Sequence, residues 1–342
     1  MKVLHVLASN KFSGAENVVC QIINMFDGEQ VMAYASPYGE IEQKLKEKNI
    51  QFYGMHKFCL KEIKRIVDEF QPDVIHAHDI KASILCSKIY KKAKIVATIH
   101  GNKKNMNKLS MKSLLFNIAC KHISHIFWVS KSCYNSYYFK KSVQSKSTIL
   151  ANIISVDKLQ TEANVAQINN KSDVLFLGRL VYEKNPLRII DIANLLVQKK
   201  ADIKISIVGD GEYKTQMQAK VNELAIQNNV TFWGFQSNPY GLLKNAKLLL
   251  LTSIMEGTPM CAVEAMALNV PVVSTKTDGM VELINGENGV LYDDDIEAVD
   301  NIIGILNDKN KLNILRECCK KFSEEYNDVA SYKEAICGGY LN

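Results

Sequence analysis

Two glutamates, Glu256 and Glu264, have the surroundings in this chain that most suggest chemistry. Glu264 lies within residues 260–268, which are otherwise apolar nearly all round, as in a buried helix. Carboxylates are seldom fully buried without a partner, because leaving water costs on the order of several kcal/mol. Glu264 therefore either makes a structural ion pair or hydrogen bond, or it holds a polar ligand. Glu256 is expected just before a helix N-terminus, where free N–H groups favour anions.

Residues 247–278 predict the elements that position these glutamates: a strand, a loop, a helix and a second strand. The leucine run at 248–251 is typical of a strand buried on both faces in a parallel sheet. Thr258 is the predicted N-cap and Pro259 the first helical residue, while Asn269 suits a left-handed C-terminal position. Ligands of open α/β sheets bind at the edge where such strands end.

The spacing of the two glutamates, in E-G-T-P-M-C-A-V-E-A-M-A, resembles the E-x7-E segment of retaining GT-B glycosyltransferases of family 4. The resemblance implies that Glu264 binds the ribose hydroxyls of a nucleotide sugar and that Glu256 contacts the donor sugar. Asn269 stands where the family usually has Gly, and it is the next-best residue for that conformation. The resemblance also assigns donor binding to the residues between the glutamates, namely Gly257, Thr258, Pro259, Met260 and Cys261.

A second motif, GRLVYEKNP, resembles the G-R-L-x-x-x-K-x-P turn of the same family. It implies that Arg179 and Lys184 hold the diphosphate of the donor, beside a helix that Asn185 caps and Pro186 opens. Two cations and helix N–H groups can neutralise a leaving diphosphate, so neither a metal nor another cofactor is expected. Asp293, Asp294 and Asp295 precede a helical pattern, so we interpret them as helix-start charges and not as metal ligands.

Further positions are assigned to the site by the same resemblance. Gly209 belongs to a G-D-G loop that would let the backbone approach the nucleotide. Phe235 resembles a residue lining the base pocket, although an ordinary aromatic core residue is an equally good interpretation. The remaining donor-side glycines are Gly14, Gly178 and Gly234, and Ser13 replaces the first Gly of the family's G-G-A-E loop, near the acceptor entrance.

Three histidines lie at predicted strand ends in the first half of the chain: His76, His78 and His100. His76 and His78 share one side of a strand, but no third ligand is spaced nearby, so no metal site is predicted. His76 is interpreted as structural and His78 as a candidate on the acceptor side of the cleft. The resemblance implies that His100 faces the donor sugar, with a structural hydrogen bond as the alternative.

Length and strand–helix alternation favour two α/β domains for the 342 residues. The resemblance implies a GT-B fold, with two doubly wound Rossmann-like domains facing a cleft. We expect an acceptor-binding domain over 1–165, a nucleotide-sugar domain over 166–328, and a helix over 329–342 that crosses back to the first domain. Residues 160–172 are polar and without periodicity, and they are the predicted linker.

Composition excludes several classes of protein. Nine scattered cysteines indicate neither a disulfide framework nor a zinc site. No apolar run approaches the ~18 residues of a membrane span, and the N-terminus runs straight into a strand, so a cytoplasmic location is expected. No motif for binding RNA or DNA is present. Oligomeric state is left open.

The net charge of +6 conceals a stretch, from Asp79 to Asp157, with fourteen lysines and no acidic residue between its ends. This stretch is either a solvated surface or a face for an anionic partner such as a membrane. Over 103–112, four lysines alternate with Met106, Leu109 and Met111 in a basic amphipathic pattern. Lys103, Lys104 and Lys108 are therefore acceptor-side candidates.

The resemblance to family-4 GT-B enzymes implies a retaining hexosyltransferase that moves a sugar from a nucleotide diphosphate sugar, with UDP expected, to a glycan acceptor. A lipid-linked acceptor at the inner membrane face, in bacterial capsule, exopolysaccharide or O-antigen synthesis, is the expected setting. The alternatives are a non-catalytic GT-B partner subunit and a GT-B sugar-nucleotide epimerase, which would need no acceptor.

Overall fold

The computed structural model describes residues 1–12, 14–101, 105–165, 171–255 and 259–341. They form two units, Met1–Ile153 with Val329–Asn342, and Ile154–Asp328. Among these residues, no helix is both long and apolar enough to cross a bilayer.

The first unit is built on a seven-stranded parallel sheet of order β3-β2-β1-β4-β5-β6-β7. Continuous apolar runs make these strands, because both faces of the sheet are covered by helices. The strands are β1 Lys2–Val6, β2 Val31–Pro37, β3 Phe52–Met55, β4 Val74–His78, β5 Lys94–Ile99, β6 His125–Trp128 and β7 Ser147–Ile149. The helices are α1 Gly14–Met25, α2 Ile41–Glu47, α3 Leu60–Phe70, α4 Asp79–Cys86, α5 Met111–Cys120, α6 Lys131–Asn135 and α7 Lys140–Val143, followed at the end of the chain by α16 Val329–Leu341.

Helix α16 belongs to this first unit, although it is the last element of the chain. The Tyr340 hydroxyl is hydrogen-bonded to Nδ1 of His76 on β4 at 2.8 Å. Lys94 on β5 donates from Nζ to the carbonyl oxygens of Tyr340 and Leu341. Gly339 packs so closely on the ring of Phe127 that a Cβ there would lie 2.4 Å from it. The chain therefore ends against the sheet in which it began.

The second unit carries a six-stranded parallel sheet of order β10-β9-β8-β11-β12-β13. Its strands are β8 Ser172–Leu177, β9 Ile205–Val208, β10 Val230–Gly234, β11 Ala246–Leu251, β12 Val272–Thr275 and β13 Gly289–Tyr292. Its helices are α8 Val156–Val165, α9 Pro186–Lys199, α10 Lys214–Glu223, α11 Tyr240–Lys244, α12 Met260–Ala267, α13 Asp278–Leu283, α14 Asp295–Asn307 and α15 Lys309–Tyr326.

The boundary between the units lies at Ile153, and not at residue 165 as the sequence suggested. Much of the predicted linker is helix α8, which buries Leu159 and Ala163 in the core of the second unit. Asn238 donates a hydrogen bond to the Glu162 carbonyl oxygen of this helix. The helix was missed because only a few of its side chains are apolar and the rest face solvent.

Candidate active site

The strand order of the second unit reverses direction between β8 and β11, which are neighbours in the sheet. In doubly wound sheets, ligands bind beyond the carboxyl ends of the strands at such a switch point. Arg179 follows β8, and the loop that starts at Thr252 follows β11. Both predicted motifs therefore converge on the position where the fold favours a ligand.

The turn that carries the two predicted cations is tied to the loop after β11. Buried Thr252 donates its hydroxyl to the carbonyl oxygens of Lys184, at 2.8 Å, and Asn185, at 3.1 Å. The Ile254 amide donates to the Glu183 carbonyl oxygen at 2.9 Å. These bonds hold the lysine turn beside the loop that leads into the E-x7-E segment.

Arg179 is exposed, and no residue in the described ranges forms an ion pair with it. Its guanidinium is therefore available to an anionic ligand at the strand end. Asn185 is the N-cap residue of α9 and Pro186 its first residue, as predicted, but Asn185 adopts φ 48° and makes no side-chain cap bond. The turn needs a residue in the left-handed conformation, and Asn adopts this conformation more readily than most residues. Asn185 therefore serves the turn through its backbone conformation.

The glycine loops after β8, β9 and β10 meet at the same sheet edge. Gly209, at φ 139°, lies so close to Gly178 that a Cβ would stand 1.9 Å from the Gly178 carbonyl oxygen. Its amide donates to the Gly234 carbonyl oxygen at 2.8 Å. The close packing of these loops therefore requires a residue without a side chain at position 209. As a result, the backbone at this sheet edge is not covered by a side chain of its own. The adjoining Phe235 is 69% exposed, so it is not a core residue of the unit.

Glu264 lies on the buried face of α12 and is 9% exposed. The Tyr240 hydroxyl donates a hydrogen bond to its Oε1 at 3.1 Å. Burial raises the pKa of Glu264 to about 7, against a smaller lowering by the Tyr240 hydrogen bond. Helix α12 begins at Met260 with Pro259 as its N-cap residue, one position later than predicted, and Asn269 takes φ 59° as predicted. Pro259 is buried, while Met260 and Cys261 are half-buried.

Several predicted site residues lie outside the described ranges: Ser13, Lys103, Lys104, Glu256, Gly257 and Thr258. Their assignments remain predictions from the sequence.

The first unit has its own switch point, between β1 and β4, with a cavity of about 360 Å³ at its edge. The cavity wall includes His78, Asp79 and Lys112, and it includes Glu16 of the helix that Gly14 opens. His78 is 2% exposed and hydrogen-bonds from Nδ1 to Nε2 of His100 at 2.9 Å. The two predicted histidines are therefore in direct contact.

His5, His76 and His78 place ring nitrogens within 4.8 Å of one another, a grouping that could hold a metal ion. Hydrogen bonds already occupy most of these nitrogens. His76 bonds to Tyr340 and Thr98, and His78 bonds to His5 and His100. A shared metal would have to replace these bonds, so the donor set fits a hydrogen-bonded cluster better than a metal centre.

Sequence reasoning missed His5, Tyr240 and Thr252, which each contact or position a predicted site residue. His5 was detectable as the one polar side chain in the apolar run 3–7. Tyr240 and Thr252 carried no signal of their own, because their partners are non-local contacts set by the fold.

On the α5 side of this unit, Lys108 is exposed as expected, but Met106 is 4% exposed and does not belong to an amphipathic surface. Leu109 and Met111 of the predicted pattern are exposed, at 65% and 72%, and the exposed apolar residues continue along α5 with Leu114, Leu115 and Ile118, at 41%, 44% and 50%. We call these five residues the α5 stripe. Its last four members follow helical spacing, so they share one face of α5.

Comparison with known proteins agrees with the fold and identifies glycosyltransferases as relatives. Residues 158–322 match the family described as Glycosyl transferases group 1, and residues 6–130 match Glycosyl transferase 4-like. An uncharacterized glycosyltransferase of Methanocaldococcus jannaschii is 32% identical over 292 residues, which is 74% of this chain and 71% of that protein. The chain belongs to the glycosyltransferases.

Other relatives of this glycosyltransferase carry more specific names. The lipopolysaccharide 1,6-galactosyltransferase of Salmonella typhimurium is 26% identical, covering 88% of this chain and 87% of that protein. A Campylobacter jejuni α-1,4-N-acetyl-D-galactosaminyltransferase, named for an undecaprenol-diphosphate-linked substrate, is 24% identical and covers 94% of both. Anabaena HepE in complex with UDP and glucose has a TM-score of 0.86 at 20% identity, covering 99% of this chain and 98% of that one. This likeness shows the GT-B fold.

Proposed function

We propose that this glycosyltransferase moves a hexose from a nucleotide diphosphate sugar, with UDP as the favoured nucleotide, to a glycan acceptor with retention at the anomeric carbon. The observation that carries the proposal is the Thr252 hydroxyl, which fixes the Lys184 turn beside the loop entering the E-x7-E segment. Together with exposed Arg179 at the end of β8, this turn offers positive charge where a diphosphate would sit.

The leaving diphosphate gains negative charge as the glycosidic bond breaks, so fixed cations at this position stabilise the transition state more than the ground state. Arg179 and Lys184 are proposed to hold the diphosphate, and Glu264 to accept hydrogen bonds from the ribose hydroxyls. Glu256 and His100 are proposed to contact the donor sugar. No general base is assigned, because the leaving phosphate itself can take the acceptor proton.

UDP is favoured because the structurally similar HepE has been solved with UDP, with UDP and glucose, and with UDP-glucose. A lipid-linked acceptor is favoured by the relatives from Campylobacter jejuni and Escherichia coli, whose names specify undecaprenol diphosphate substrates. We therefore propose that the reaction belongs to bacterial cell-surface polysaccharide synthesis and takes place at the inner face of the membrane.

The α5 stripe supports a membrane setting, since exposed apolar side chains on one helix face suit insertion at a lipid interface. Lys108, Lys112 and Lys121 are exposed at and around this helix. Asn117 of α5 accepts a hydrogen bond from Ser142, which brings the neighbouring Lys141 close as well. Because the sequence between Asp79 and Asp157 has no acidic residue, the charge of this region complements an anionic bilayer.

A panel of nucleotide sugars, tested with and without undecaprenyl-diphosphate-linked sugars, examines the proposed function. The expected result is UDP release and a new α-linked product from one UDP-α-sugar, only when an acceptor is present. Conversion of the donor sugar without acceptor would instead identify an epimerase. UDP binding with no turnover on any pair would identify a non-catalytic partner subunit.

A further inference from the structure

The two carboxylate oxygens of Glu264 have different surroundings. Oε1 accepts the hydrogen bond of the Tyr240 hydroxyl at 3.1 Å. Oε2 is bonded to no residue in the described ranges, and it does not belong to the enclosed polar atoms that lack a partner there, so it reaches the surface. Glu264 is therefore held at one oxygen and open to a ligand at the other.

Tyr240, which holds Oε1, is itself fixed in place. Its backbone amide donates to Oδ1 of Asn238 at 3.1 Å, and Nδ2 of Asn238 donates to the Glu162 carbonyl oxygen at 2.8 Å. Tyr240 is also the first residue of α11, and its half-buried side chain packs on the core that α8 and α12 share. A continuous set of hydrogen bonds thus runs from α8 through Asn238 and Tyr240 to Glu264.

The hydrogen bond from Tyr240 also favours the charged form of Glu264. Burial raises the pKa of the Glu264 carboxyl to about 7, the Tyr240 hydroxyl lowers it, and the charge of Glu162 raises it. Burial and the neighbouring Glu264 raise the pKa of Tyr240, so its hydroxyl stays protonated and donates. The charge of Glu264 near neutral pH therefore depends on this one donor.

The other described elements that pack against α12 are β12 and α15. Strand β12 has no ionisable side chain. The ionisable groups of α15 on this side are Cys319 and Tyr326 in the shared core, and Arg316, Glu317 and Lys320 in a pocket wall with Leu268 and Asn269. Because Leu268 and Asn269 follow Glu264 by at least one helical turn, these three charged groups surround the C-terminal end of α12.

We propose that Tyr240 is a positioning residue for nucleotide binding, which holds Oε1 of Glu264 so that Oε2 faces the ribose hydroxyls. A carboxylate bonded at one oxygen rotates less freely about its last side-chain torsion, and this restriction determines where the other oxygen lies. The inference rests on the proposed function, which assigns Glu264 to the ribose. It adds a residue outside the E-x7-E segment to the nucleotide site.

Calorimetric titration of the full-length protein with UDP and with 2′,3′-dideoxy-UDP isolates the contacts of the ribose hydroxyls, because only UDP carries them. At pH 8 the unsubstituted protein should bind UDP at least about tenfold more tightly, as expected for hydrogen bonds to an ionised carboxylate. Tyr240→Phe should reduce this preference about fivefold and leave affinity for the dideoxy analogue within about twofold. Equal weakening of both ligands, or an unchanged preference, overturns the proposal.

Carbon-13 NMR of labelled glutamate side chains follows the Glu264 carboxyl without any ligand, and Glu264→Gln identifies its signal. Tyr240→Phe should raise the pKa of Glu264 by about one pH unit, because one unit corresponds to about one hydrogen bond. The preference for UDP should then appear about one pH unit higher in this variant, since a protonated carboxyl is a weaker acceptor. An unchanged pKa contradicts the proposal.

Asn238→Ala provides a second variant that leaves the tyrosine in place. It removes the acceptor of the Tyr240 amide, so the preference for UDP should fall about twofold or more while the dideoxy analogue binds as before. A full preference in this variant and in Tyr240→Phe would show that neither residue positions Glu264.

Tyr326→Phe supplies the matched control. Tyr326 of α15 packs on the same core, and its buried hydroxyl has no hydrogen-bond partner among the described residues. Both the preference for UDP and the pKa of Glu264 should stay unchanged, and a change equal to that of Tyr240→Phe would overturn the proposal in favour of general packing. An unsubstituted protein that prefers neither nucleotide overturns the assignment of Glu264 to the ribose, whereas a preference that survives Tyr240→Phe overturns the role of Tyr240 alone.

Discussion

Tyr240 donates its hydroxyl hydrogen bond to Oε1 of Glu264 across 3.1 Å, although the two residues belong to different helices, α11 and α12. One bond from a neutral hydroxyl satisfies only part of a carboxylate that is 9% exposed. The remaining acceptor capacity of Glu264 is what the ribose hydroxyls of a bound nucleotide are proposed to use. In the absence of nucleotide, the carboxylate oxygens of Glu264 that lack a hydrogen-bond donor destabilise the folded protein.

Glu264→Gln should therefore stabilise the free protein at alkaline pH. The folded pKa of about 7 lies above the usual 4.5, so the folded state holds this proton more tightly than the unfolded state. The resulting destabilisation of the parent protein begins as pH rises past 4.5 and is complete above about 7, reaching roughly 3 kcal/mol at most. Melting temperatures should favour the variant at pH 8 and converge near pH 4.5.

With saturating UDP at pH 8, the parent protein should have a higher melting temperature than Glu264→Gln. The reason is that the carboxylate offers more acceptor sites to the ribose hydroxyls than an amide does. Exposed Glu287 provides the control, since Glu287→Gln should change neither stability nor UDP binding. Equal stability of the Glu264 variant and its parent at pH 8 would show that the carboxylate is not destabilised by burial.

Arg179→Ala should reduce turnover by about 10² or more, because it removes a cation proposed to stabilise the leaving diphosphate. Its melting temperature should stay close to that of the parent, since Arg179 is exposed and has no ion-pair partner in the described part of the chain. Initial rates at saturating acceptor measure the effect. Lys199→Ala removes an equal charge on the exposed surface of α9 and should leave the rate within about twofold. A normal rate for Arg179→Ala would remove this residue from the site.

Chelators should not abolish activity, because Arg179, Lys184 and helix N–H groups are proposed to neutralise the diphosphate without a metal ion. Turnover in excess EDTA should remain within about twofold of the untreated rate. Complete loss that magnesium or manganese restores would show that a metal ion takes part.

The parts of the structure that the sequence predicts best depend on local patterns. The leucine run expected as a strand at 248–251 lies within β11 Ala246–Leu251, because continuous apolar runs bounded by turns specify buried parallel strands. The conformation of turn residues is also predictable from local sequence. Asn269 adopts the left-handed conformation because it directly follows the end of helix α12. Local chemistry is thus enough to place the motifs at the sheet edges.

The missed features depend on contacts between distant parts of the chain. His5 meets His78 because β1 and β4 are neighbours in the sheet, with His5 paired to His76 in register. Nothing within a window around residue 5 predicts that partner. Helix α8 was likewise predicted as a linker. Its buried side chains pack against α11 and the rest of the second unit, and the local sequence does not reveal these distant contacts.

The last prediction concerns the α5 stripe, which we propose inserts into an anionic membrane. Each exposed apolar side chain that enters the interface contributes about 1 kcal/mol, and each nearby lysine contributes up to about 1 kcal/mol. Changing Leu114, Leu115 and Ile118 to Gln should therefore weaken vesicle binding by at least about tenfold at any salt concentration. Changing Lys108 and Lys112 to Gln should weaken it at low salt and have little effect at high salt, where the charges are screened.

Sedimentation with vesicles of phosphatidylglycerol and phosphatidylcholine, and of phosphatidylcholine alone, measures both effects. Ile296 and Ile314 give a matched control, because they are 57% and 60% exposed on helices of the second unit. Their joint substitution by Gln should leave vesicle binding unchanged. This control shows whether binding depends on the α5 stripe in particular or on the total exposed apolar area of the protein. If the stripe variant sediments like its parent, or the parent shows no preference for anionic vesicles, this face is a solvated one. We would then expect the acceptor to be a soluble sugar or protein.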